Sequence, residues 1–271
     1  MNTPRSYLFV PGDRPERFDK ALASDADVVV LDLEDAVAAD RKQAAREAIQ
    51  RWVPTCDAAT RARIAVRVNE AAAPCFANDL AMLQQAPVGL VMLPKAEAAW
   101  QIGTVRHRLP AVEVLALVET ARGVVAVHEV AAAPGMARLV FGTLDFALDL
   151  GIAPEPAGLA HAAACLALAS RAAGLPAPVA GVTPEIGDDT RLLADWGWAW
   201  ALGFGAKLCI HPRQIAPLHD AMRPSAVELD WAERVIAAAA AARGAAVQVD
   251  GRMVDKPVLQ RALALRERAT R

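Results

Sequence analysis

Short runs of consecutive apolar residues recur along the chain, separated by stretches with helical spacing. Tyr7-Leu8-Phe9-Val10 comes first, then Val28-Val29-Val30-Leu31 and Ile64-Ala65-Val66-Arg67-Val68. Leu90-Val91-Met92-Leu93, Val114-Leu115-Ala116-Leu117-Val118 and Leu139-Val140-Phe141 follow, with weaker runs at Pro178-Val179-Ala180 and Ala206-Lys207-Leu208-Cys209. Unbroken apolar runs of this length suit strands buried on both faces, as in parallel sheets. Residues 14–24 read as a helix capped by Asp13, with Pro15 in the first turn. Residues 40–52 carry charge on one face and Ala44, Ala48 and Ile49 on the other. Residues 161–173 form an alanine-rich helix that closes at Gly174, a C′ glycine.

Strands alternating with helices predict an α/β fold with a parallel sheet. Eight strands in one domain predict a closed (β/α)8 TIM barrel, and no GxGxxG follows the first strand to favour an open, doubly wound sheet. The 271 residues fit one barrel of about 250 residues. We expect a catalytic barrel over 1–225 and a C-terminal helical extension over 226–271. Residues 245–257 read as a surface loop between two final helices, serving as a lid or an arm to a neighbouring subunit.

Composition narrows this only slightly. The hydrophobic fraction is 55%, much of it alanine, and the net charge is -2, so no nucleic-acid partner is expected. The apolar stretch 235–242 is short and bracketed by Arg234 and Arg243, far below the roughly 20 apolar residues of a span. With no signal-peptide pattern, a cytoplasmic protein without a membrane partner is expected. The 4 cysteines form no CxxC pair and read as reduced thiols.

The chemistry gathers where barrel active sites lie, at the C-terminal ends of the strands. Asp32-Leu33-Glu34-Asp35 follows the second strand, Asn69-Glu70 the third and Lys95 the fourth. Glu119-Thr120 follows the fifth, Gly142-Thr143-Leu144-Asp145 the sixth and His211 the eighth. Carboxylates converging on one mouth need a counter-charge, and oxygen-only ligands point to Mg2+. Glu119 and Asp145 are the expected direct ligands, with Glu34 and Asp35 holding metal-bound water. Each also has a plain structural reading: Asp145 could cap a helix starting at Phe146, and Asp32 could brace its loop. Arg67, inside an apolar strand, either pairs with Glu34 or Asp35 or clamps a substrate carboxylate or enolate oxygen. Lys95 is a Schiff-base candidate or a neutralising charge. His211, before Pro212, reads more readily as a turn hydrogen-bonder than as a catalyst.

These motifs resemble the citrate lyase beta subunit group of the HpcH/HpaI aldolase superfamily, which includes malyl-CoA and citramalyl-CoA lyases. The resemblance rests on Arg5-Ser6-Tyr7-Leu8-Phe9-Val10-Pro11-Gly12, Leu31-Asp32-Leu33-Glu34-Asp35-Ala36-Val37, Val66-Arg67-Val68-Asn69 and Leu93-Pro94-Lys95. Val118-Glu119-Thr120, Phe141-Gly142-Thr143-Leu144-Asp145-Phe146 and Cys209-Ile210-His211-Pro212 continue it in order. It implies a TIM barrel, Mg2+ on Glu119 and Asp145, and Arg67 on the oxo acid or enolate. It also implies substrate or coenzyme A contacts from Phe9, Arg14 and Lys20. The first helix start, near Arg14 and Lys20, would welcome phosphates. Around Gly251-Arg252-Met253-Val254-Asp255-Lys256-Pro257 it implies that Asp255 is an acid/base delivered from a neighbouring subunit of a trimer, hence a homo-oligomer, trimer or hexamer.

The expected activity is Mg2+-dependent carbon–carbon cleavage or formation of a 3-hydroxyacyl-CoA thioester, such as malyl-CoA or citramalyl-CoA, giving an acyl-CoA and a small 2-oxo acid. Alternatives are a citrate lyase beta subunit acting on citryl-acyl carrier protein, a malyl-CoA thioesterase, a Lys95-dependent aldolase, and a catalytically silent barrel.

Overall fold

The computed structural model describes residues 3–241 and 247–269, and the chain falls into two compact units divided between Pro217 and Leu218. In the first, β1 (Ser6–Pro11), β2 (Val28–Asp32), β3 (Ile64–Arg67), β4 (Leu90–Leu93) and β5 (Glu113–Val118) run parallel. β6 (Met136–Phe141), β7 (Val179–Ala180) and β8 (Ala206–Cys209) complete a closed barrel in which β8 pairs back onto β1. The sequence-based expectation of a (β/α)8 barrel is met.

Side chains alternate between barrel interior and helix layer, because successive Cβ atoms of a strand point to opposite faces. Tyr7, Val28, Val30, Ala65, Leu117 and Leu208 belong to the interior cluster. Their neighbours Leu8, Val29, Leu31 and Val66 are equally buried, on the opposite face, which is why the runs are apolar without interruption. At the N-terminal end of the interior stands Arg138. Its Nε donates to the Ala177 carbonyl at 2.5 Å, and its Nη1 donates to the Pro4 carbonyl at 2.6 Å and to the Tyr7 hydroxyl at 3.4 Å.

Two helix starts differ from expectation. Residues 14–24 form a 3-10 turn, Pro15–Arg17, and then a helix, Phe18–Leu22. Pro15 opens that turn, so the cap position falls on Arg14, and Asp13 instead faces Arg14 and Arg41 at 3.9 and 3.7 Å. Lys20 accordingly sits in the helix's last turn. The helix containing Asp145 begins earlier than expected, at Thr143, and places Asp145 in its first turn. The long alanine-rich helix spans Pro156–Ala172 and closes as expected at Gly174, φ +72°.

In the second unit, the helices Ala226–Ala241 and Lys256–Ala269 share a cluster of Ala232, Val235, Val254, Ala262 and Leu265. The expected loop 245–257 is largely an antiparallel hairpin of β9 (Val247–Val249) and β10 (Arg252–Val254), while 245 and 246 lie outside the described residues. Asp250 (φ +52°) and Gly251 (φ +74°) make its two-residue turn, as both central positions of a type I′ turn require. Among the described residues no helix is long and apolar enough to cross a membrane. All four cysteines are free, and Cys209 is buried.

Candidate active site

The alternation that builds the core also builds the site. The interior positions of each strand, followed one step beyond the apolar layer, reach Phe9 above Tyr7, Asp32 above Val30, Arg67 above Ala65 and Glu119 above Leu117. All four line a cleft of about 370 Å³ at the C-terminal mouth, together with Gly142 and Asp145.

Parallel register places Asp32 beside Arg67. The guanidinium grips that carboxylate with two bonds, Nε to Oδ1 at 2.7 Å and Nη2 to Oδ2 at 2.6 Å. The expected ion pairs with Glu34 and Asp35 are present too, beside this closer partner. Glu34 lies 2.9 Å from Nη1 and Asp35 3.7 Å. The Glu34 contact is an ion pair outside hydrogen-bond geometry, so its buried Oε2 has no hydrogen bond. Asp32 is buried and does brace its loop, accepting the Glu34 and Ala36 amides at 2.9 and 3.1 Å. The Arg67 guanidinium also lies over the Phe9 ring, 4.9 Å from its centroid. Arg67 also lines the cleft, where N–H donors not used by Asp32 can meet a ligand oxygen.

Glu119 is 3% exposed, and its Oε1 accepts the Lys95 amide at 2.9 Å. Lys95 adopts φ +46°, a left-handed conformation that costs a non-glycine residue about 1 kcal/mol. Gly142 makes room on the other side, since a Cβ there would stand 2.5 Å from Glu119 Oε2. Burial, followed by the charge of Glu34, lifts the Glu119 pKa to about 8, and Asp145 adds to the rise. Burial likewise lifts Glu34 to about 7 against the pull of Arg67. These carboxylates are short of positive charge. A hard divalent cation supplies it, and oxygen donors from Glu119 and Asp145 suit Mg2+, which takes one or two carboxylates and completes its octahedron with water and substrate oxygens. Among the described residues no group of three or more His, Cys, Asp or Glu side chains is placed to hold a metal ion by itself.

Lys95 Nζ meets Glu70 Oε2 at 2.8 Å, and this hydrogen bond raises its pKa. A Schiff-base lysine needs the opposite shift, and the pairing with Glu70 fits the reading of Lys95 as a neutralising charge. His211 accepts the Arg213 amide through Nδ1 at 3.2 Å and caps a short turn. Arg14 lines a neighbouring groove with Arg17 and Arg41, a residue that sequence reasoning had not singled out. Lys20 is exposed and lines neither cleft. Asp255, in the second unit, is exposed and accepts the Val258 amide at 3.1 Å at the start of its helix. Asp32 is the residue most clearly missed. The positions of Val28 and Val30 carried the signal, because parity puts Asp32 on their face.

The family model described as HpcH/HpaI aldolase/citrate lyase matches residues 5–212. The chain belongs to that family. It is 41% identical over 269 residues to a citrate lyase subunit beta-like protein of Mycobacterium tuberculosis, covering 97% of this chain and 94% of the relative. It is 35% identical to a (3S)-malyl-CoA thioesterase of Cereibacter sphaeroides, over 93% of this chain and 89% of that one. Its fold is similar to that of CitE from Mycobacterium tuberculosis in complex with magnesium, acetoacetate and coenzyme A. There the TM-score is 0.87 and the identity 39%, covering 99% and 98% of the two chains.

Proposed function

We propose that this family member is a Mg2+-dependent carbon–carbon lyase that cleaves or forms a 3-hydroxyacyl-CoA thioester such as malyl-CoA or citramalyl-CoA. The observation that carries the reading is one cleft holding a buried, charge-deficient Glu119 together with Arg67. Glu119 and Asp145 would hold Mg2+, which when bound would supply Lewis-acid stabilisation to the oxygens of the 2-oxo acid. Glu34 and Asp35 hold the water around that cation. Arg67, locked by Asp32 and Phe9, presents donors where negative charge develops as the bond breaks, with no reorganisation needed. Leu117, Val182, Leu208 and Ile210 form the cleft's apolar wall and limit the water around the reacting carbon. Arg14, Arg17 and Arg41 receive the phosphates of coenzyme A, and Lys20 adds its charge from the short helix that follows. Asp255, on the C-terminal extension of a neighbouring copy in a trimer or hexamer, exchanges the proton with the thioester's α-carbon. The enzyme works in the cytoplasm.

The thioesterase relative favours a second reading, in which water attacks the thioester and free coenzyme A leaves. Incubation with malyl-CoA and citramalyl-CoA, with Mg2+ or with EDTA, separates the two by mass spectrometry. Mg2+-dependent glyoxylate or pyruvate with the shorter acyl-CoA is the expected result. Free coenzyme A with intact malate or citramalate would establish the thioesterase. No turnover of either thioester overturns the free-thioester reading and leaves citryl-acyl carrier protein as the substrate to try.

A further inference from the structure

Glu34 is buried in the mouth, where its Oε2 meets Arg67 Nη1 at 2.9 Å but has no hydrogen bond. Its position therefore depends on the backbone that carries it as well as on Arg67. That backbone is held by a cation that the proposed chemistry does not use. Lys42 Nζ donates to the Leu33 carbonyl at 2.9 Å, the Glu34 carbonyl at 3.0 Å and Asn69 Oδ1 at 2.6 Å. Three bonds use all three donors of the ammonium group, and two of them grip successive peptides around Glu34.

The chain of bonds continues inward. Asn69 donates through its amide and its Nδ2 to Asp79 Oδ2, at 2.9 and 2.7 Å. Asp79, with no exposed surface, accepts Arg46 Nη1 on its other oxygen at 3.0 Å. Lys42 and Arg46 stand one turn apart on the helix Lys42–Trp52. One helix face therefore clamps the loop after β2, which carries Glu34, and the loop after β3, which follows Arg67. A connected, largely buried network of this kind rigidifies what it holds.

We propose that Lys42 is a positioning residue that fixes the Glu34 carboxylate at the cation site, an inference that rests on the Mg2+-dependent reading above. The Asn69–Asp79–Arg46 chain anchors Lys42 in turn. Partners that orient a metal site from behind typically change metal affinity or activity about 10–100-fold when removed.

The test is isothermal titration of the purified protein with MgCl2, in wild type, Lys42→Met, Glu34→Gln and the double variant. Lys42→Met is expected to weaken Mg2+ binding about tenfold in the wild-type background and to add nothing once Glu34 is Gln. With malyl-CoA or citramalyl-CoA, kcat should fall while KM stays within about twofold, because the thioester is held elsewhere. A residue that merely stabilises the fold would lower the melting temperature and leave the affinity of the folded protein unchanged. That result, or equal weakening in both backgrounds, overturns the proposal. If Lys42→Met does not fold, Lys42→Arg keeps the charge but cannot set three donors at one point. It should weaken binding about threefold or more, again only with Glu34 present. Wild type that binds Mg2+ with no Lys42 effect removes this inference alone. Wild type that neither binds Mg2+ nor turns over either thioester removes the functional reading, and this inference with it.

Discussion

Two guanidiniums stand inside the same barrel, at opposite ends, and their partners differ in kind. Arg138, 2% exposed at the N-terminal end, forms no ion pair among the described residues. It is saturated by carbonyls and a hydroxyl, and lies 5.9 Å from the Tyr7 ring. Arg67, at the C-terminal mouth, is surrounded by carboxylates, and the pull of Asp32, Glu34 and Asp35 outweighs burial to hold its pKa above the usual arginine value. The first arrangement closes a core. The second concentrates charge of both signs beside an open cleft. Barrels divide their labour the same way, with stability at the N-terminal face and chemistry at the C-terminal one.

The largest effect that would sharpen this contrast belongs to the mouth's carboxylates. Glu119→Gln and Asp145→Asn should each lower Mg2+-dependent turnover about a thousandfold, from losing the several kcal/mol a Lewis-acid cation supplies. Their melting temperatures should stay close to wild type. Near-normal turnover by either variant in a steady-state assay would remove that residue from the cation site.

Arg67→Met comes next and should separate function from stability. Turnover is expected to fall about a hundredfold or more. Stability should fall by about 3 kcal/mol, because buried Asp32 is left unpaired. Adding Asp32→Leu removes the stranded carboxylate, so urea unfolding should recover much of the stability while turnover stays low. Recovered turnover in that double variant would break the assignment of Arg67 to the chemistry.

Arg138→Met should show the reverse profile. It strands the Pro4 and Ala177 carbonyls, at a cost of about 3 kcal/mol in denaturant titration. The folded fraction should keep wild-type kcat and Mg2+ affinity. A kcat loss beyond about twofold, at a temperature where the variant is fully folded, would mean that the two ends are coupled.

The barrel was legible in the sequence because strands buried on both faces leave unbroken apolar runs, and even the two-residue β7 showed as a weak one. The mouth was legible because the polar residues ending those runs sit next along the same face. Asp32 escaped because each residue was weighed against its own loop and not against the parity of Val28 and Val30. The bidentate grip on Arg67 arises from register between two strands, which one strand's sequence does not carry. The hairpin of β9 and β10 was missed although Asp250-Gly251 is a strong turn signal, since three-residue strands show little alternation. Lys42 was invisible for a related reason. Its partners are two backbone carbonyls and a side-chain amide from the loop after β3, none of which marks the lysine itself.

A third buried cation gives the finest test of the contrast. Lys207, on β8 and 2% exposed, donates to the Gly181 carbonyl at 2.7 Å and forms no ion pair among the described residues. Burial pushes its pKa down to about 8, against the pull of Asp195 and Cys209 and with a small push from Arg191. Above the ordinary lysine value of 10.5, neither folded nor unfolded chain carries this charge. As pH falls from there to about 8, the unfolded chain takes up the proton and the folded one resists it, so stability is lost across that window. Below it both forms are charged and the loss is constant. Lys207→Met removes the group, so wild-type stability minus Met-variant stability should rise from pH 8 to pH 10.5, by on the order of 2 kcal/mol, and stay flat below pH 8. Urea titrations at matched ionic strength would measure it. A difference independent of pH would show that Lys207 stays charged in the fold as readily as in water, and that a single carbonyl can do for a cation on the barrel wall what three carboxylates do for Arg67 at the mouth.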